Sequence, residues 1–101
     1  MTTVRFAAGE IIFEWHAAKA AAKQRKHGVS FEEAATAFLD PLAQIFDDPD
    51  DASGEERFLL TGVSAKNRLV LVVHVERGAR LRIISARLAT RRERAKLQDE
   101  S

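Results

Sequence analysis

The most informative stretch for the fold is residues 80–96, whose sequence is Arg80-Leu81-Arg82-Ile83-Ile84-Ser85-Ala86-Arg87-Leu88-Ala89-Thr90-Arg91-Arg92-Glu93-Arg94-Ala95-Lys96. The first part alternates apolar and basic side chains, with Leu81 and Ile83 on one face, which is the period-two pattern of a strand that lies on a core. The alternation then stops, and Thr90 is followed three residues later by Glu93, which is the spacing of a helix capping box. The stretch therefore predicts a strand from Arg80 and a last helix that begins at Thr90.

Positive charge is concentrated in the same region. Between Arg77 and Lys96 the chain has eight Lys/Arg and one Glu, a local charge of +7 in a chain whose total is +1. Residues 1–50 carry five Lys/Arg and eight Asp/Glu (net −3), whereas residues 51–101 carry eleven and seven (net +4). A cationic strand and helix start suit the binding of phosphates. The charge distribution thus predicts a basic surface for one partner and an acidic surface for another.

The composition restricts the class of protein. With 101 residues, 46% of them hydrophobic, the chain can bury one modest core and has no room for two domains. It has no cysteine, which excludes disulfides and is typical of a reducing cytosol. No apolar run approaches the roughly 18 residues of a membrane span. We expect a cytoplasmic protein without a metal or other cofactor, because its three histidines also lack the spacing of zinc ligands.

The N-terminal segment predicts a strand and a helix. Residues 1–10 show no sustained period and are expected to form a loose leader ahead of a single domain at residues 11–101. Residues 11–15 (Ile-Ile-Phe-Glu-Trp) are rich in β-branched and aromatic side chains and predict a strand. The alanine-rich residues 16–27 predict a helix that ends at Gly28.

The remaining segments predict a second helix and a sheet. Ser30 and Glu33 form another capping box, and apolar residues recur at helical spacing up to Asp40-Pro41. The predicted strands are residues 42–46, 55–63, 69–76 and 80–87, with an acidic loop at residues 47–54. The turns within residues 55–87 are too short for parallel crossovers, so these residues predict an antiparallel meander. We expect an α+β fold in which an antiparallel β-sheet combines this meander with one or two N-terminal strands. Two N-terminal helices and one C-terminal helix would pack on one side of the sheet.

Several short motifs resemble those of one bacterial family. In chain order they are residues 13–15 (Phe-Glu-Trp), 26–32 (Lys-His-Gly-Val-Ser-Phe-Glu), 40–41 (Asp-Pro), 54–57 (Gly-Glu-Glu-Arg), 82–87 (Arg-Ile-Ile-Ser-Ala-Arg) and 90–94 (Thr-Arg-Arg-Glu-Arg). Together they resemble the BrnT toxins of type II toxin–antitoxin systems over residues 11–97. His16 stands where the family more often has Asp, and the leader before Ile11 is longer than usual.

The resemblance implies a RelE-like fold and a ribonuclease that blocks translation. It also implies a partner, a BrnA-like antitoxin with a ribbon-helix-helix DNA-binding end. Such an antitoxin would neutralise the toxin in a hetero-oligomer and repress the operon that encodes both proteins.

The resemblance implies catalytic groups at the motif positions Arg57 and Arg87. Metal-free RNA cleavage needs a base for the ribose 2′-hydroxyl, cations for the charged phosphorane and an acid for the leaving 5′-oxygen. Arginine suits the second role because its planar fork binds two phosphate oxygens. His74 is the best acid or base by residue type and is predicted on the polar side of its strand. Glu56 and Glu76 are alternatives.

A further set of basic residues is predicted to bind RNA: Lys26, His27, Arg80, Arg82 and Arg91. Alternation places Arg80 and Arg82 on the face opposite Leu81. Arg87 shares parity with Leu81, so it leaves the core face only if the strand has ended or is bulged. Cations at a helix C-terminus, such as Lys26 and His27, also interact with the helix dipole, and Arg91 also fits a solvated helix face.

The sequence is also compatible with a second function. The same arginines would serve a non-catalytic nucleic-acid or protein-binding module, in which they only neutralise phosphates or bind an acidic partner. Both functions predict weaker binding at high salt, so the formation of cleaved RNA is what distinguishes them.

Overall fold

The computed structural model describes residues 2–48 and 54–99. Across these residues the chain forms six strands: β1 (Thr3–Ala8), β2 (Ile11–His16), β3 (Gln44–Asp47), β4 (Phe58–Val63), β5 (Leu69–Arg77) and β6 (Arg80–Leu88). Three α-helices are α1 (Ala17–His27), α2 (Phe31–Thr36) and α3 (Arg91–Asp99), and a 3-10 turn (Ala37–Leu39) continues α2. None of the helices in the described residues is long and apolar enough to cross a membrane.

The strands form one mixed sheet with the order β1-β2-β6-β5-β4-β3. The predicted meander is confirmed, because β4, β5 and β6 pair as antiparallel neighbours. The sequence did not predict that β2 pairs with β6 in parallel, which joins the N-terminal hairpin to the meander. The α+β class is confirmed, with α1 and α2 packed against β6.

The core lies between the sheet and α2. Trp15 meets Phe31 edge-on at 5.9 Å between ring centroids, and Phe13 meets Phe38 in the same way at 4.9 Å. The opposite side of the sheet is called the open face, although Thr61 and Leu71 on it are buried. Its side chains include Arg5, Glu14, Phe46, Leu59, Thr61, Leu71, Val73, Arg82 and Arg87.

The prediction of a loose leader at residues 1–10 is wrong, because it contains β1. This strand pairs with β2 in antiparallel register, from Thr3 opposite His16 to Ala8 opposite Ile11. Its alternate side chains pack against the core, and the Phe6 ring lies 5.8 Å from that of Trp15. Gly9 has a φ of 62°, the left-handed conformation that a tight hairpin turn requires. The period-two signal was present in the sequence but spanned only a few residues.

The capping box predicted at Thr90 is confirmed in both directions. The Glu93 amide donates to the Thr90 hydroxyl at 3.1 Å, and the Thr90 amide donates to the Glu93 carboxylate at 2.8 Å. At the start of α1, the ring of His16 accepts from the Lys19 amide at 3.3 Å, so the histidine serves as a cap there.

The box predicted at Ser30 is only half correct. Ser30 accepts from the Glu33 amide at 3.0 Å, but the Glu33 carboxylate binds Arg68 and accepts from the Ser64 hydroxyl at 2.7 Å. These bonds tie α2 to the turn between β4 and β5. Tertiary contacts therefore redirect a carboxylate that local sequence assigned to its own helix.

Strand β3 occupies Gln44–Asp47 rather than residues 42–46. Its start is delayed by a turn in which the Ala43 amide donates to the Asp40 carbonyl at 3.0 Å. Of the acidic loop predicted at residues 47–54, positions 49–53 lie outside the described residues.

Candidate functional site

A bulge in β6 determines which way Arg87 points. Val73 lies opposite Ser85 and His74 lies opposite Ile83, so Ile84 is the extra residue on β6. The extra residue reverses the alternation, so Ile83 and Ala86 both face the core. Arg87 therefore turns to the open face, opposite Leu71. The sequence allowed Arg87 to leave the core face through either a strand end or a bulge, and the structure has a bulge.

Glu93 of α3 holds the Arg87 guanidinium in a two-pronged ion pair. The two terminal nitrogens of Arg87 donate to the two carboxylate oxygens at 2.8 and 2.9 Å. This bond, opposed by burial and assisted by the Thr90 amide, lowers the pKa of Glu93 to about 2. The same bond raises the pKa of Arg87, so the guanidinium stays charged. The Arg87 side chain remains 42% exposed, which leaves part of it open to a ligand.

The C-terminus of α1 brings further basic residues near Arg87. Burial lowers the pKa of His27, and the positive charges of Lys26, Lys23 and Arg87 lower it further. The charge of Arg87 is the smallest of these causes, so Arg87 lies within electrostatic range of the end of α1, which packs along β6. Lys26, His27 and Arg87, which the sequence named at distant positions, thus form one group. We call it the Arg87 group and include Lys23 in it.

Arg80 and Arg82 form a second basic group around Glu14. Arg82 donates to the Glu14 carboxylate at 2.6 Å, and Arg80 lies 3.1 Å from its other oxygen. The predicted placement of both arginines on the open face is confirmed by their register. Four residues lie between Arg82 and Arg87 on β6, which separates the two arginines by about 15 Å.

Arg57 and Glu56 lie just before β4. The Arg57 side chain is half-buried with a buried Nε, and its carbonyl accepts from the Asp48 amide at 3.0 Å. The Glu56 side chain is exposed. Arg57 is four residues before Thr61, which lies two strands across the sheet from Arg87. That register separates the two arginine backbones by about 13 Å along the strands and about 10 Å across them.

The prediction that His74 lies on the polar side of its strand is wrong. His74 is 3% exposed and faces the core, with its ring centroid 4.8 Å from that of Phe38 and 5.9 Å from that of Phe58. Burial lowers the pKa of His74, against smaller opposing effects of the Val72 carbonyl and Glu76. Because both faces of β5 begin with apolar residues, periodicity did not decide which face meets the helices. His74 consequently lies on the opposite side of the sheet from Arg87.

The two remaining predicted site residues, Glu76 and Arg91, are exposed. Glu76 lies near the end of β5, opposite Leu81, and its side chain is exposed. Arg91 is exposed in the first turn of α3, two residues before Glu93.

Comparison with known proteins matches the chain to a family described as "Ribonuclease toxin, BrnT, of type II toxin-antitoxin system" over residues 15–93. The chain belongs to the BrnT family. Among solved structures, this BrnT-family chain is similar to the ribonuclease toxin BrnT of Brucella abortus, with a TM-score of 0.60 and 26% sequence identity. That similarity covers 76% of this chain and 94% of the Brucella chain. No curated protein matches the sequence.

Membership confirms the resemblance drawn from the motifs. By family and structure the chain is a BrnT ribonuclease toxin of a type II toxin–antitoxin system, which implies an antitoxin partner. The six-stranded α+β fold is consistent with the Brucella structure.

Three residues of this candidate site were missed as site residues from the sequence. Glu93 was identified only as a helix cap, although it also binds Arg87. Glu14 lies between two buried aromatic residues on β2, a pattern that places its carboxylate on the opposite face. Lys23 is one helical turn before Lys26 and His27, so spacing alone could have grouped the three cations.

Proposed function

We propose that this chain is an endoribonuclease of RelE-like fold that cleaves RNA on its open face and blocks translation. We further propose that it acts in the cytoplasm and that a BrnA-like antitoxin neutralises it. The placement of Arg87 carries the proposal, since the bulge turns this arginine to the open face, within electrostatic range of His27. A fixed cation next to a titratable imidazole is a combination that phosphodiester cleavage uses.

In the proposed mechanism Arg87 stabilises the phosphorane. A guanidinium has five N–H donors; Glu93 accepts one from each terminal nitrogen, and the Leu88 carbonyl accepts a third at 3.3 Å. The remaining donors bind non-bridging phosphate oxygens while Glu93 keeps the fork oriented. Glu93 is therefore a positioning residue, and Arg87 is the residue that touches the reacting phosphate.

His27 is the base that fits this position. Its lowered pKa favours the neutral imidazole near pH 7, the form that accepts the proton of the ribose 2′-hydroxyl. The 2′-oxygen then bonds to phosphorus, the bond from phosphorus to the 5′-oxygen breaks, and the leaving 5′-oxygen takes a proton from water. Lys26 and Lys23 add positive charge beside the scissile phosphate. His74 and Glu56, predicted as acid or base, lie apart from this group, so their catalytic roles stay predictions.

The second basic group binds the RNA away from the scissile bond. Arg80 and Arg82 lie on the same face about 15 Å along β6, and Arg57 borders that end of the sheet. Cations so separated bind different phosphates of one strand, so Arg57 and Arg87 do not share a phosphate in this proposal. Arg91 extends the basic surface onto α3.

The proposed cleavage is metal-independent. Within the described residues, His, Asp and Glu side chains form no group of three or more suited to hold a metal ion. The cations and the proton acceptor of the mechanism are therefore assigned to Arg87, Lys26 and His27.

The test is RNA cleavage by the purified chain and by Arg87→Ala, with Lys19→Ala as control. Lys19 is an exposed cation on α1 about two turns before His27. We expect the wild type and Lys19→Ala to yield ends with a cyclic or 3′-phosphate, also in EDTA, and Arg87→Ala to lose at least about 100-fold in rate.

A companion variant, His27→Ala, tests the base. If His27 accepts the proton, the wild-type rate falls at acid pH as the imidazole protonates, and His27→Ala loses that limb of the pH profile. RNA that binds the chain but stays intact would refute the enzyme and support the binding module. Cleavage that Arg87→Ala leaves unchanged would refute the proposed site.

A further inference from the structure

Strand β3 is one of the two edge strands of the sheet, and within residues 2–48 and 54–99 only β4 pairs with it. All four of its residues are exposed. Ile45 is 57% exposed and Phe46 is 45% exposed, and Leu42 just before the strand is 84% exposed. The opposite edge, β1, differs, because its alternate residues pack against the core.

A groove flanks β3 on each face of the sheet. The groove on the open face has a volume of about 600 Å³, and its lining includes Leu42, Gln44, Thr61, Val63, Leu69 and Leu88. The groove on the other face has a volume of about 420 Å³, and its lining includes Phe38, Ala43, Ile45, Phe58, Leu60 and His74. Consecutive residues of β3 thus border different grooves.

This geometry suits the addition of a strand. An extended peptide that pairs with an edge presents alternate side chains to the two faces, and the main-chain bonds supply affinity. Natural edge strands are usually shielded by lysine, proline, a bulge or a covering segment. Gln44–Asp47 contains neither lysine nor proline, and among residues 2–48 and 54–99 only β4 pairs with it.

Charge identifies the occupant. Residues 27–56 contain nine Asp/Glu and no Lys/Arg, and Asp40, Asp47 and Asp48 adjoin or belong to β3. Asp40, Asp47 and Asp48 attract a protein segment with Lys/Arg flanks to β3, while Arg68 and Arg94 line the far side of the open-face groove. The family description names a type II toxin–antitoxin system, so an antitoxin is a partner to which such a segment can belong.

We propose that β3 binds the antitoxin through strand addition, using an extended segment of alternating apolar residues flanked by Lys/Arg. This inference rests on the proposed neutralisation by an antitoxin. It separates the two partners, because RNA binds the basic groups of the open face while the antitoxin binds the acidic edge.

The test uses the protein encoded by the reading frame adjacent to that of this chain, purified and titrated against wild type, Ile45→Lys, Phe46→Lys and Ile12→Lys. Ile12 is 41% exposed on β2, distant from β3, and is the matched control. We expect each β3 variant to raise the Kd at least about tenfold and Ile12→Lys to leave it unchanged. Hydrogen exchange should show amides of residues 44–47 protected in the complex.

Folding and activity are measured on the same proteins. The substituted side chains are exposed, so circular dichroism should show unchanged melting, and free Ile45→Lys and Phe46→Lys should cleave RNA like the wild type. A variant that melts early is replaced by Gln44→Lys, whose side chain is also exposed.

Several outcomes would overturn the inference. Unchanged affinity of the β3 variants, protection confined to other strands, or absence of binding would each do so. So would sedimentation showing that the free chain dimerises and that Phe46→Lys makes it monomeric, since a second copy would then occupy β3. Failure of the proposed function is recognised separately, because the free wild-type chain would then leave RNA intact.

Discussion

Replacing Glu93 by glutamine tests the contact that orients Arg87. The carboxylate accepts from two nitrogens of Arg87 and from the Thr90 amide at 2.8 to 2.9 Å, and the bond to Arg87 is the main cause that lowers its pKa from 4.5 to about 2. Since the folded-state pKa lies below the unfolded value, the carboxylate stabilises the fold above pH 4.5. That contribution is lost as the pH falls from about 4.5 to about 2.

The expected loss of unfolding free energy in Glu93→Gln follows from the pKa of Glu93 and from the exposure of the two paired side chains. A pKa lowered from 4.5 to about 2 corresponds to about 3.4 kcal/mol if fully expressed. The Arg87 and Glu93 side chains are 42% and 33% exposed, so screening by water reduces this value. We expect Glu93→Gln to lower the free energy of unfolding by about 1–2 kcal/mol at pH 7, and the Tm by at least about 4 °C.

The assay is urea denaturation at pH 7 and pH 3, with Glu32→Gln as control. Glu32 is an exposed residue in the first turn of α2, and its variant should change stability by no more than about 0.5 kcal/mol. The difference between wild type and Glu93→Gln should shrink at pH 3 to less than half its pH 7 value. A loss that is the same at both pH values would refute the reasoning, because it would come from side-chain shape rather than charge.

Three further predictions concern stability. Glu33→Gln should lower the free energy of unfolding by about 2–3 kcal/mol in urea melts, because it breaks the ion pair with Arg68 and the Glu33 side chain is only 2% exposed. A loss below about 0.5 kcal/mol would contradict this. Gly62→Ala should cost about 1–3 kcal/mol by the same measurement, since its Cβ would lie 2.8 Å from the Ala37 carbonyl oxygen, and an unchanged Tm would show that the backbone yields freely. Burial lowers the pKa of His74 from 6.5, so wild-type stability should fall as the pH drops below 6.5 through the folded-state value. The stability of His74→Phe should fall less over that pH range. Parallel curves of stability against pH for the two proteins would contradict the lowered pKa of His74.

Much of the secondary structure could be predicted from the sequence because its signals are local. The capping box at Thr90 and Glu93 needs only two residues three apart, and its bonds form as predicted. The meander followed from short turns between strongly apolar strands. Strand β1 was missed because its signal is weak alone, and its pairing with β2 is what buries Phe6 against Trp15.

The candidate site was predicted less completely. Arg87 was selected through resemblance to the family motif, but its exit from the core depended on the bulge at Ile84. His74 was assigned to the wrong side because either parity of β5 could have formed the core. Its proximity to Phe38 arises across 36 positions of chain, which no local pattern reports.

Local patterns were enough to predict the helix starts, most strand positions, the basic C-terminal region and the family motifs, because each depends on residues close together in the chain. The parallel pairing of β2 with β6, the faces on which His74 and Arg87 lie, and the electrostatic coupling of His27 to Arg87 became visible only in the folded chain. Those features depend on which apolar face meets the helices and on where one extra residue interrupts the alternation. Both are settled by packing between segments that are distant in sequence.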